Sequence, residues 1–508
     1  MRLSSALASL YVLVQFHVAH ARPASTGFVS IPIYRVPSTG AALHLPPTIV
    51  HQQHVNRGIR RRELMRGAPE TPDHELFANI QKRASTLAPH LQKRYNHPEI
   101  VEILAHLAQT EDTVVADSKP KTLKETQNGT EPLESVATPF KGIVTPGKKP
   151  TFPHTLGLDI HSGQRTLDVR PSQDNNDIQT RISHAKALTV PDLGTVQIGT
   201  PPRDFVLLMD SGSADLWVGS ETCRDISDED GECAKSHQYL GPKSSSTFNN
   251  TKQEWKIQYG TGAVAGMLVR DHVRIAGLQL KDFRFGVAIN ETSDFTPEYI
   301  PFDGLAGFAK SLISRQRTTA LVEVLHAQKL ITAAITSYKI PRVGDKKNDG
   351  ELTLGALNPA KYDPKTLVKV PNVNPMGFWE AKVGAVKVAG RDLGWGNRTA
   401  IFDTGTDVDA IHKHIPGAVS DGEGSWILPC TNKASVSLTI GGREFSIDPR
   451  DLVFLPVDPE KPNGNCTSGF SSGSIGGETE WLVGDTFLKN VYMSTNVGTD
   501  EISFAKLT

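Results

Sequence analysis

The chain has 508 residues, of which 38% are hydrophobic and 21% are charged, and its formal net charge at pH 7 is −1. This length suggests two or three compact units with tails, and the balanced charge excludes a nucleic-acid binder driven by net charge. The 43 glycines and 33 prolines indicate many turns and strands rather than a helical bundle.

The first 21 residues predict a secretory signal peptide. Arg2 supplies the positive start, residues 7–18 are mostly apolar, and residues 19–21 (AHA) match a small-x-small cleavage site. The apolar run is too short for a membrane anchor, and no later run of 18 apolar residues follows. We therefore expect a secreted protein, with vacuolar delivery left open.

Residues 22–185 differ in composition from the rest of the chain. They hold 20 basic and 16 acidic residues and ten of the 17 histidines, whereas the residues after 185 hold 33 basic and 39 acidic residues. A basic arm before an acidic body predicts an electrostatic contact in cis. Within the arm, residues 110–180 lack periodicity and are interpreted as a linker. Two dibasic pairs are either sites for kexin-like processing proteases or exposed charge pairs: Lys82-Arg83 and Lys93-Arg94.

After residue 188, short apolar runs with partial alternation recur between Gly, Pro and Asp or Asn residues, which predicts a mostly β body. The clearest runs are 205–209, 255–259, 264–275, 351–354, 436–440 and 501–504. One segment, 318–330 (TTALVEVLHAQKL), has helical spacing, and its apolar residues that can share a face are Leu321, Val324, Leu325 and Leu330.

The four cysteines of this secreted chain suggest two disulfides, for which three pairings exist. Proximity in sequence favours Cys223–Cys233 and Cys430–Cys466, and the absence of a CxxC spacing argues against a zinc site. Five sequons are candidates for N-glycosylation, at Asn128, Asn249, Asn290, Asn397 and Asn465.

An internal sequence repeat contains the two aspartates that are the main catalytic candidates. The stretch VLLMDSGSADLWVGS (206–220) places Asp210 at the end of an apolar run, and AIFDTGTDVDAI (400–411) repeats the pattern around Asp403, 193 residues later. A second shared element follows each copy, at 305–307 (LAG) and at 482–484 (LVG). Paired motifs in the same order suggest a duplicated, two-lobed body with pseudo-twofold symmetry.

Two carboxylates that meet across a twofold axis cannot both ionise readily, so the pair holds one shared proton. One carboxylate then acts as base on a water molecule while the other donates to a carbonyl oxygen. Gly212 and Gly405 allow the backbone to approach closely at the axis. The neighbouring hydroxyls are expected to bond across the axis, from Ser211 and Thr404, and to hold the outer carboxylate oxygens, from Ser213 and Thr406.

These motifs resemble those of the pepsin-like aspartic proteases of the secreted, fungal type, a family in which the shared proton of the aspartate pair is already known. The resemblance implies a mainly β, bilobal fold with two pseudo-twofold related lobes. It divides the chain into a signal peptide (1–21), a propeptide and linker (22–185), an N-terminal lobe with a flap (186–370) and a C-terminal lobe (371–508). It covers roughly 188–508, through VQIGTPPRDF (196–205), DSGSADLWVGS (210–220), IQYGTGAVAG (257–266), PFDGLAGFA (301–309), GFWEAKV (377–383), AIFDTGT (400–406) and WLVGDTFLKNVY (481–492).

Further roles follow from the resemblance. Tyr259, with Gly260 and Thr261, matches the tip of a hairpin flap that closes over a bound peptide, and Trp217 matches a tryptophan that hydrogen-bonds the flap tyrosine. Both disulfide pairings fit the family, and the basic arm fits its inhibitory propeptide, whose start FVSIPIYRV (28–36) faintly matches. Apolar walls of the pocket before the cut bond, which imply a preference for apolar or aromatic side chains, are matched by Leu208, Phe302 and Leu305.

Some features depart from the family pattern. Ser211 stands where Thr is usual, but the hydroxyl is kept. Asp407 stands where Ser is usual, and it either disturbs the pair by like-charge repulsion or is a solvated residue at a helix start. The pro-region is longer than usual, and no lysine in it can be assigned to cover the aspartates. The HKH sequence at 412–414 is interpreted as surface histidines rather than a metal site.

The resemblance therefore implies an aspartic endopeptidase that acts at acid pH, is made as a secreted zymogen and is activated by propeptide removal. It implies no cofactor and no metal. The expected partners are protein or peptide substrates and the chain's own propeptide, and we expect a monomer that binds neither nucleic acid nor a membrane stably. The alternative is a pepsin-fold binding protein without catalysis. Such proteins generally lose an aspartate, the flap tyrosine or a motif glycine, and this chain keeps them all.

Overall fold

A computed structural model of the chain describes residues 27–35, 49, 51–52, 55–56, 59, 63, 69, 71–85, 192–226, 231–259, 263–292, 295–298, 300–402, 409–420, 425–458, 460–470 and 480–508. Several sequence predictions lie outside these residues: the signal peptide, the linker at 110–180, Lys93-Arg94, the sequon at Asn128, the flap residues Gly260 and Thr261, and residues 403–407 with Asp403, Thr404, Gly405, Thr406 and Asp407.

β-Strands are the main regular structure of the described residues, and their short apolar runs end at turn residues. In the first part of the chain the strands are β1 (Val29–Ile33), β2 (Leu193–Ile198), β3 (Arg203–Asp210), β4 (Leu216–Asp225), β5 (Asn249–Gln258), β6 (Ala263–Ile275), β7 (Leu278–Glu291), β8 (Gly304–Gly307), β9 (Ile335–Lys339), β10 (Gly350–Leu354) and β11 (Val368–Pro371). In the second part they are β12 (Glu380–Val388), β13 (Arg391–Asp392), β14 (Arg398–Phe402), β15 (Val419–Ser420), β16 (Trp426–Pro429), β17 (Val436–Ile440), β18 (Arg443–Ile447), β19 (Val453–Pro456), β20 (Asn465–Ser468), β21 (Glu480–Val483), β22 (Val491–Asn496) and β23 (Glu501–Lys506).

Four sheets organise these strands and confirm the predicted mainly β, bilobal fold. The N-terminal lobe is a seven-stranded sheet in the order β2-β3-β8-β4-β7-β6-β5, and it closes on itself because β2 also pairs with β6. The C-terminal lobe contains a five-stranded path, β18-β17-β12-β14-β21, and a four-stranded sheet, β15-β16-β20-β19. A six-stranded sheet, β1-β10-β9-β22-β23-β11, joins strands from early and late in the chain.

Local sequence explains why neighbouring strands pair as hairpins. Between β17 and β18 the two-residue loop is Gly441-Gly442, and both residues have positive φ, 58° and 77°. A two-residue hairpin of type I′ needs positive φ at both central residues, and glycine adopts it without a steric penalty. The pair therefore fixes the register of this edge of the C-terminal lobe.

The described helices are short apart from one in the N-terminal arm. They are α1 (Asp73–Ser85), α2 (Leu321–Ala327), α3 (Asp409–His412) and α4 (Asp485–Leu488), with single 3₁₀ turns at Ser311–Ile313, Val343–Asp345, Pro364–Thr366 and Pro449–Asp451. None of the helices in the described part of the chain is long and apolar enough to cross a membrane.

A helix forms within the predicted segment 318–330, but it covers only Leu321–Ala327. Lys329 has a φ of +59°, and the Leu330 N–H donates to the Leu325 carbonyl, so α2 ends in a left-handed residue before Leu330. The placement of Leu330 on the helix face was therefore wrong. Val322 is buried with Leu321 and Leu325, whereas Val324 is only half-buried.

Candidate active site

Strand β3 carries the first Asp motif to the middle of the N-terminal lobe. Its inward residues alternate into the core, and Asp210 is its last residue and only 8% exposed. β3 runs parallel to β8, which contains the LAG element, in a register that pairs Asp210 with Gly307. The two sequence elements that recur along the chain are thus neighbours in one sheet.

The loop after β3 wraps around the Asp210 carboxylate. The Gly212 N–H donates to Oδ1 at 3.0 Å, and the Ser213 hydroxyl donates to Oδ2 at 2.5 Å. Each carboxylate oxygen therefore has a donor from its own motif, which fixes the orientation of the side chain. The Phe308 N–H donates to the Asp210 carbonyl at 2.8 Å and ties the loop to the residue after β8.

Gly307 is glycine because the loop passes directly over it. A Cβ atom at this position would lie 2.5 Å from the Ser213 carbonyl oxygen, closer than real Cβ contacts allow. The same approach lets the Ala309 N–H donate to the Ser213 carbonyl at 2.8 Å. The glycine of LAG is therefore needed for the Asp210 loop to close.

The second copy of the motif uses the same strand arrangement. β14 leads to Asp403 and runs parallel to β21, which contains the start of the LVG element, and Phe402 pairs with Val483. In the first copy the corresponding pair is Met209 with Ala306. Both copies therefore pair the residue before the aspartate with the residue before the glycine.

The two copies approach each other at their strand ends. The Ser211 Oγ lies 3.4 Å from the Phe402 carbonyl oxygen and donates to it. Phe402 directly precedes Asp403, so the hydroxyl of the first motif reaches the backbone that leads into the second. This is the direction in which a cross-axis contact from Ser211 was expected.

Tyr259 follows the last paired residues of the β5–β6 hairpin, which pairs Gln258 with Ala263. Its hydroxyl accepts a hydrogen bond from Trp217 Nε1 at 2.7 Å. Trp217 is 1% exposed and lies on β4 in the N-terminal lobe, so the bond ties the end of the hairpin to a rigid core residue.

The predicted pocket residues share one apolar cluster. Leu208, Phe302 and Leu305 pack with Trp217 and Tyr259. Leu208 pairs with Leu305 two residues before Asp210 pairs with Gly307, so this part of the cluster lies close to the aspartate along the sheet.

Sequence reasoning missed Phe295, which joins this cluster. Its ring lies edge-on to Trp217, with centroids 5.4 Å apart, and edge-on to Tyr259 at 5.6 Å. Phe295 lies in an irregular loop after β7, where neither periodicity nor a motif marks it.

An ion cluster that sequence reasoning also missed links the N-terminal arm to the body. Arg35 is 6% exposed, and its guanidinium makes a bidentate ion pair with Asp192. Its Nε donates to Oδ1 at 2.9 Å, its Nη2 donates to Oδ2 at 3.2 Å, and Nη2 also donates to Asp485. Burial raises the pKa of Asp192 to about 6, although the charge of Arg35 acts to lower it. Asp192 directly precedes β2, and its carbonyl accepts from the Met209 N–H at 2.8 Å, so the cluster lies behind the Asp210 strand.

A buried acid lies in the N-terminal lobe near the turn of the β5–β6 hairpin. Glu291 is the last residue of β7 and is 4% exposed, and it pairs with Val264 on β6 and with Asp225 on β4. Among the described residues its Oε1 has no hydrogen-bond partner. Burial, and next the charge of Asp225, raise the pKa of Glu291 to about 8.

Both disulfides form as expected, between Cys223 and Cys233 and between Cys430 and Cys466. Of the described sequon asparagines, Asn249, Asn397 and Asn465 are exposed, and Asn290 is half-buried.

The interpretation of both HKH histidines as surface residues was wrong for His412. This ring is fully buried and stacks on Trp426 with centroids 4.8 Å apart, because the short helix α3 turns it toward the C-terminal lobe. Its Nε2 lies 2.7 Å from the Ser468 hydroxyl. In the described part of the chain no group of three or more potential metal ligands occurs.

The sequence was compared with known proteins and protein families. A sequence model of the family described as eukaryotic aspartyl protease matches residues 193–507. The chain is 31% identical to the probable aspartic-type endopeptidase CTSD of Arthroderma benhamiae over 366 residues, which is 67% of this chain and 69% of that protein. It is 28% identical to the aspartic-type endopeptidase ctsD of Aspergillus fumigatus over 362 residues, which is 67% of this chain and 73% of that protein.

A third relative is similar to a comparable degree. Pepsin A of Sus scrofa is 30% identical over 327 residues, which is 61% of this chain and 80% of that protein. The family match spans all the described strands from β2 onward, including the strand pairs that carry both Asp motifs. The chain therefore belongs to the eukaryotic aspartyl protease family and is an aspartic-type endopeptidase.

Proposed function

We propose that Asp210 and Asp403 are the catalytic pair of this endopeptidase and that they hydrolyse peptide bonds at acid pH through an activated water molecule. The observation that carries the proposal is the matched register of the two motif strands, together with the bond from Ser211 to the Phe402 carbonyl. Both features support two carboxylates facing each other across the lobes.

The chemistry uses the single proton of the pair. The ionised carboxylate removes a proton from water, whose oxygen bonds to the peptide carbonyl carbon, while the protonated carboxyl gives its proton to the carbonyl oxygen. Collapse of the resulting diol breaks the C–N bond. The leaving nitrogen takes a proton from one carboxyl, and the other carboxylate takes a proton from a diol hydroxyl, which restores the shared proton. No covalent enzyme intermediate forms. Ser213 and the Gly212 N–H hold Asp210 in a fixed orientation for these transfers.

We also propose a preference for apolar or aromatic side chains flanking the cut bond. This preference is supported by the apolar cluster in which Leu208, Phe302 and Leu305 pack with Tyr259 and Phe295, beside the strand that ends at Asp210. Cleavage-site profiling on a mixed peptide library tests this preference. We expect bulky apolar residues to be enriched before the cut bond, and enrichment of charged residues there would contradict the proposal.

The bond from Trp217 to Tyr259 supports a flap that closes over the substrate. Replacing Tyr259 with phenylalanine leaves the buried indole N–H without this acceptor, so we expect kcat/KM to fall about 10-fold. Tyr259→Ala also removes the ring from the pocket, and we expect a loss on the order of 100-fold or more. Steady-state kinetics on a peptide substrate measure both effects, with circular dichroism to confirm folding. Equal, small losses in both variants would argue against a flap role.

We propose further that the chain is a secreted zymogen whose N-terminal arm inhibits the enzyme in cis. The signal-like first 21 residues and the two disulfides support secretion. Strand β1 of the arm pairs along its whole length with β10, and Tyr34 bridges to Leu193, which supports docking of the arm in the intact chain. Protonation of carboxylates on the acidic body weakens its attraction for a basic arm as pH falls.

The Arg35 cluster allows a direct test of docking in cis. Arg35→Met leaves Asp192 and Asp485 without their shared cation, so we expect docking to weaken by about 3 kcal/mol, on the order of 100-fold. The intact variant should then cleave peptides at a higher pH than the wild-type chain. Glu75→Gln, which removes one exposed charge from the same arm, serves as the control. Identical pH profiles for Arg35→Met and the wild type would contradict inhibition through this contact.

A further inference from the structure

Helix α1 has one buried face and one exposed face, and its dibasic pair is divided between them. Leu76, Arg83 and Ala84 are buried, and Ile80 packs against Ala84 and Ile49, at the i, i+4, i+7 and i+8 spacing of one helix face. Lys82 is exposed. In a basic pair on a solvated loop both side chains would be exposed. Here only Lys82 is exposed, and Arg83 is buried.

Arg83 is held by residues of both the arm and the body. Its Nε donates to the Gln52 amide oxygen at 2.8 Å, and its Nη2 donates to the Ser425 hydroxyl at 2.8 Å. Ser425 directly precedes β16 of the C-terminal lobe and is 3% exposed. The guanidinium therefore connects α1 across 342 residues of sequence to the body.

A second layer of hydrogen bonds fixes the partners of Arg83. The Ser425 hydroxyl also contacts His51 Nδ1 at 3.0 Å, and the Gln52 amide donates to Asn56 at 3.0 Å. Asn56 in turn donates to the Leu76 carbonyl at 2.8 Å, which returns the network to α1. Burying a guanidinium is costly unless its donors are satisfied, so a network of this kind belongs to a contact that forms as a unit.

An endoprotease that cuts after a basic pair must take the second basic side chain into its own pocket and bind the flanking backbone in extended form. In the docked arm the Arg83 side chain is occupied, and the bond to be cut joins two buried residues, Arg83 and Ala84, within a helix. Cleavage there requires α1 to leave the C-terminal lobe and to unwind.

We propose that Arg83 anchors the N-terminal arm to the C-terminal lobe and that docking protects the Arg83–Ala84 bond from endoproteases that cut after basic pairs. Cleavage at this pair then follows arm release and does not cause it. This proposal goes beyond the proposed zymogen, because it places release of the arm before cleavage after Arg83. It holds whichever residues of this chain catalyse peptide hydrolysis.

The test uses the full chain at neutral pH with a kexin-like endoprotease, and mass spectrometry follows the fragment that begins at Ala84. A sample without added protease reports any self-cleavage, so failure of this inference is separate from failure of the catalytic proposal. A synthetic peptide of residues 76–90 gives the rate for the unprotected bond. We expect the chain to be cut after Arg83 on the order of 100-fold more slowly than the peptide. Cleavage of the folded chain at the peptide's rate would overturn the proposal.

Two substitutions each remove one hydrogen-bond acceptor of Arg83 while leaving the basic pair intact, Gln52→Ala in the arm and Ser425→Ala in the body. We expect each to raise the rate of cleavage after Arg83 about 10-fold, because the buried guanidinium loses one of the hydrogen bonds that hold it. Glu75→Gln, at an exposed position of α1, is the matched control and should leave the rate unchanged. Melting temperatures separate local release of α1 from global unfolding. Unchanged rates in both folded acceptor variants would overturn the anchoring role.

Discussion

Asp210→Asn and Asp403→Asn are each expected to lower kcat for peptide hydrolysis about 10³-fold or more while leaving KM nearly unchanged. At position 210 asparagine keeps the size of the side chain. Its amide oxygen can still accept from the Gly212 N–H, and its amide nitrogen can donate to the Ser213 hydroxyl, so the local loop should stay folded. It cannot act as the base or carry the shared proton, so the loss should fall on the chemical step.

The control is Asp204→Asn, because Asp204 is an exposed aspartate on the same strand as Asp210 and bonds only the side chain of Gln197 in the described contacts. Its kcat should match that of the wild-type chain. The kcat of the double variant of Asp210 and Asp403 should be close to that of the slower single variant. The two carboxyls act together in one step, so the second substitution removes little further activity. Wild-type activity in either single variant would refute the paired mechanism.

Glu291 should make the folded chain lose stability as the pH rises toward alkaline values. Burial raises its pKa from 4.5 to about 8, so the folded state favours the protonated carboxyl. The stability that it contributes is complete below its ordinary pKa of 4.5 and is lost as the pH rises through about 8. Between these pH limits the free energy of unfolding should fall by a few kcal/mol, which is a large share of the stability of a typical domain.

Glu291→Gln keeps an uncharged polar side chain at every pH, so we expect its free energy of unfolding to vary less than that of the wild type between pH 5 and 9. Denaturant unfolding at several pH values measures the difference between the two curves. Glu298→Gln is the control, because Glu298 lies on the same lobe and its pKa is lowered by hydrogen bonds from Ser236 and Lys235. This control should alter stability without changing the slope above pH 5. Parallel plots of unfolding free energy against pH for Glu291→Gln and the wild type would contradict a raised pKa at Glu291.

The fold class and much of the site could be predicted because their signals are local in sequence. Alternating apolar runs give the strands, and a doubled Asp-Ser/Thr-Gly motif with its LAG and LVG partners indicates two lobes. The close approach that makes Gly307 necessary depends on the loop around Ser213, but the motif spacing already marks both segments. The end of α2 was harder to predict, because the left-handed Lys329 carries no glycine signal.

Contacts between segments far apart in the chain could not be predicted from the sequence. Arg35 meets Asp192 and Asp485 only after β1 joins the six-stranded sheet, and no pattern links these three residues beforehand. Glu291 looks like an ordinary polar residue at the end of a strand until β4 and β6 bury it from both sides. Arg83 was a processing candidate by its dibasic sequence alone, and only the position of Ser425 reveals its burial.

One time course tests whether this chain is an active protease that acid releases from its N-terminal arm. The purified full chain is taken from neutral to acid pH, and its N-terminal mass and its cleavage of a mixed peptide library are followed together. We expect cleavage of apolar-flanked bonds to begin as the N-terminal arm is lost, and we expect the Asp210→Asn chain to cleave none of them. Loss of the arm without cleavage of any peptide would contradict this expectation and would favour a pepsin-fold protein that only binds.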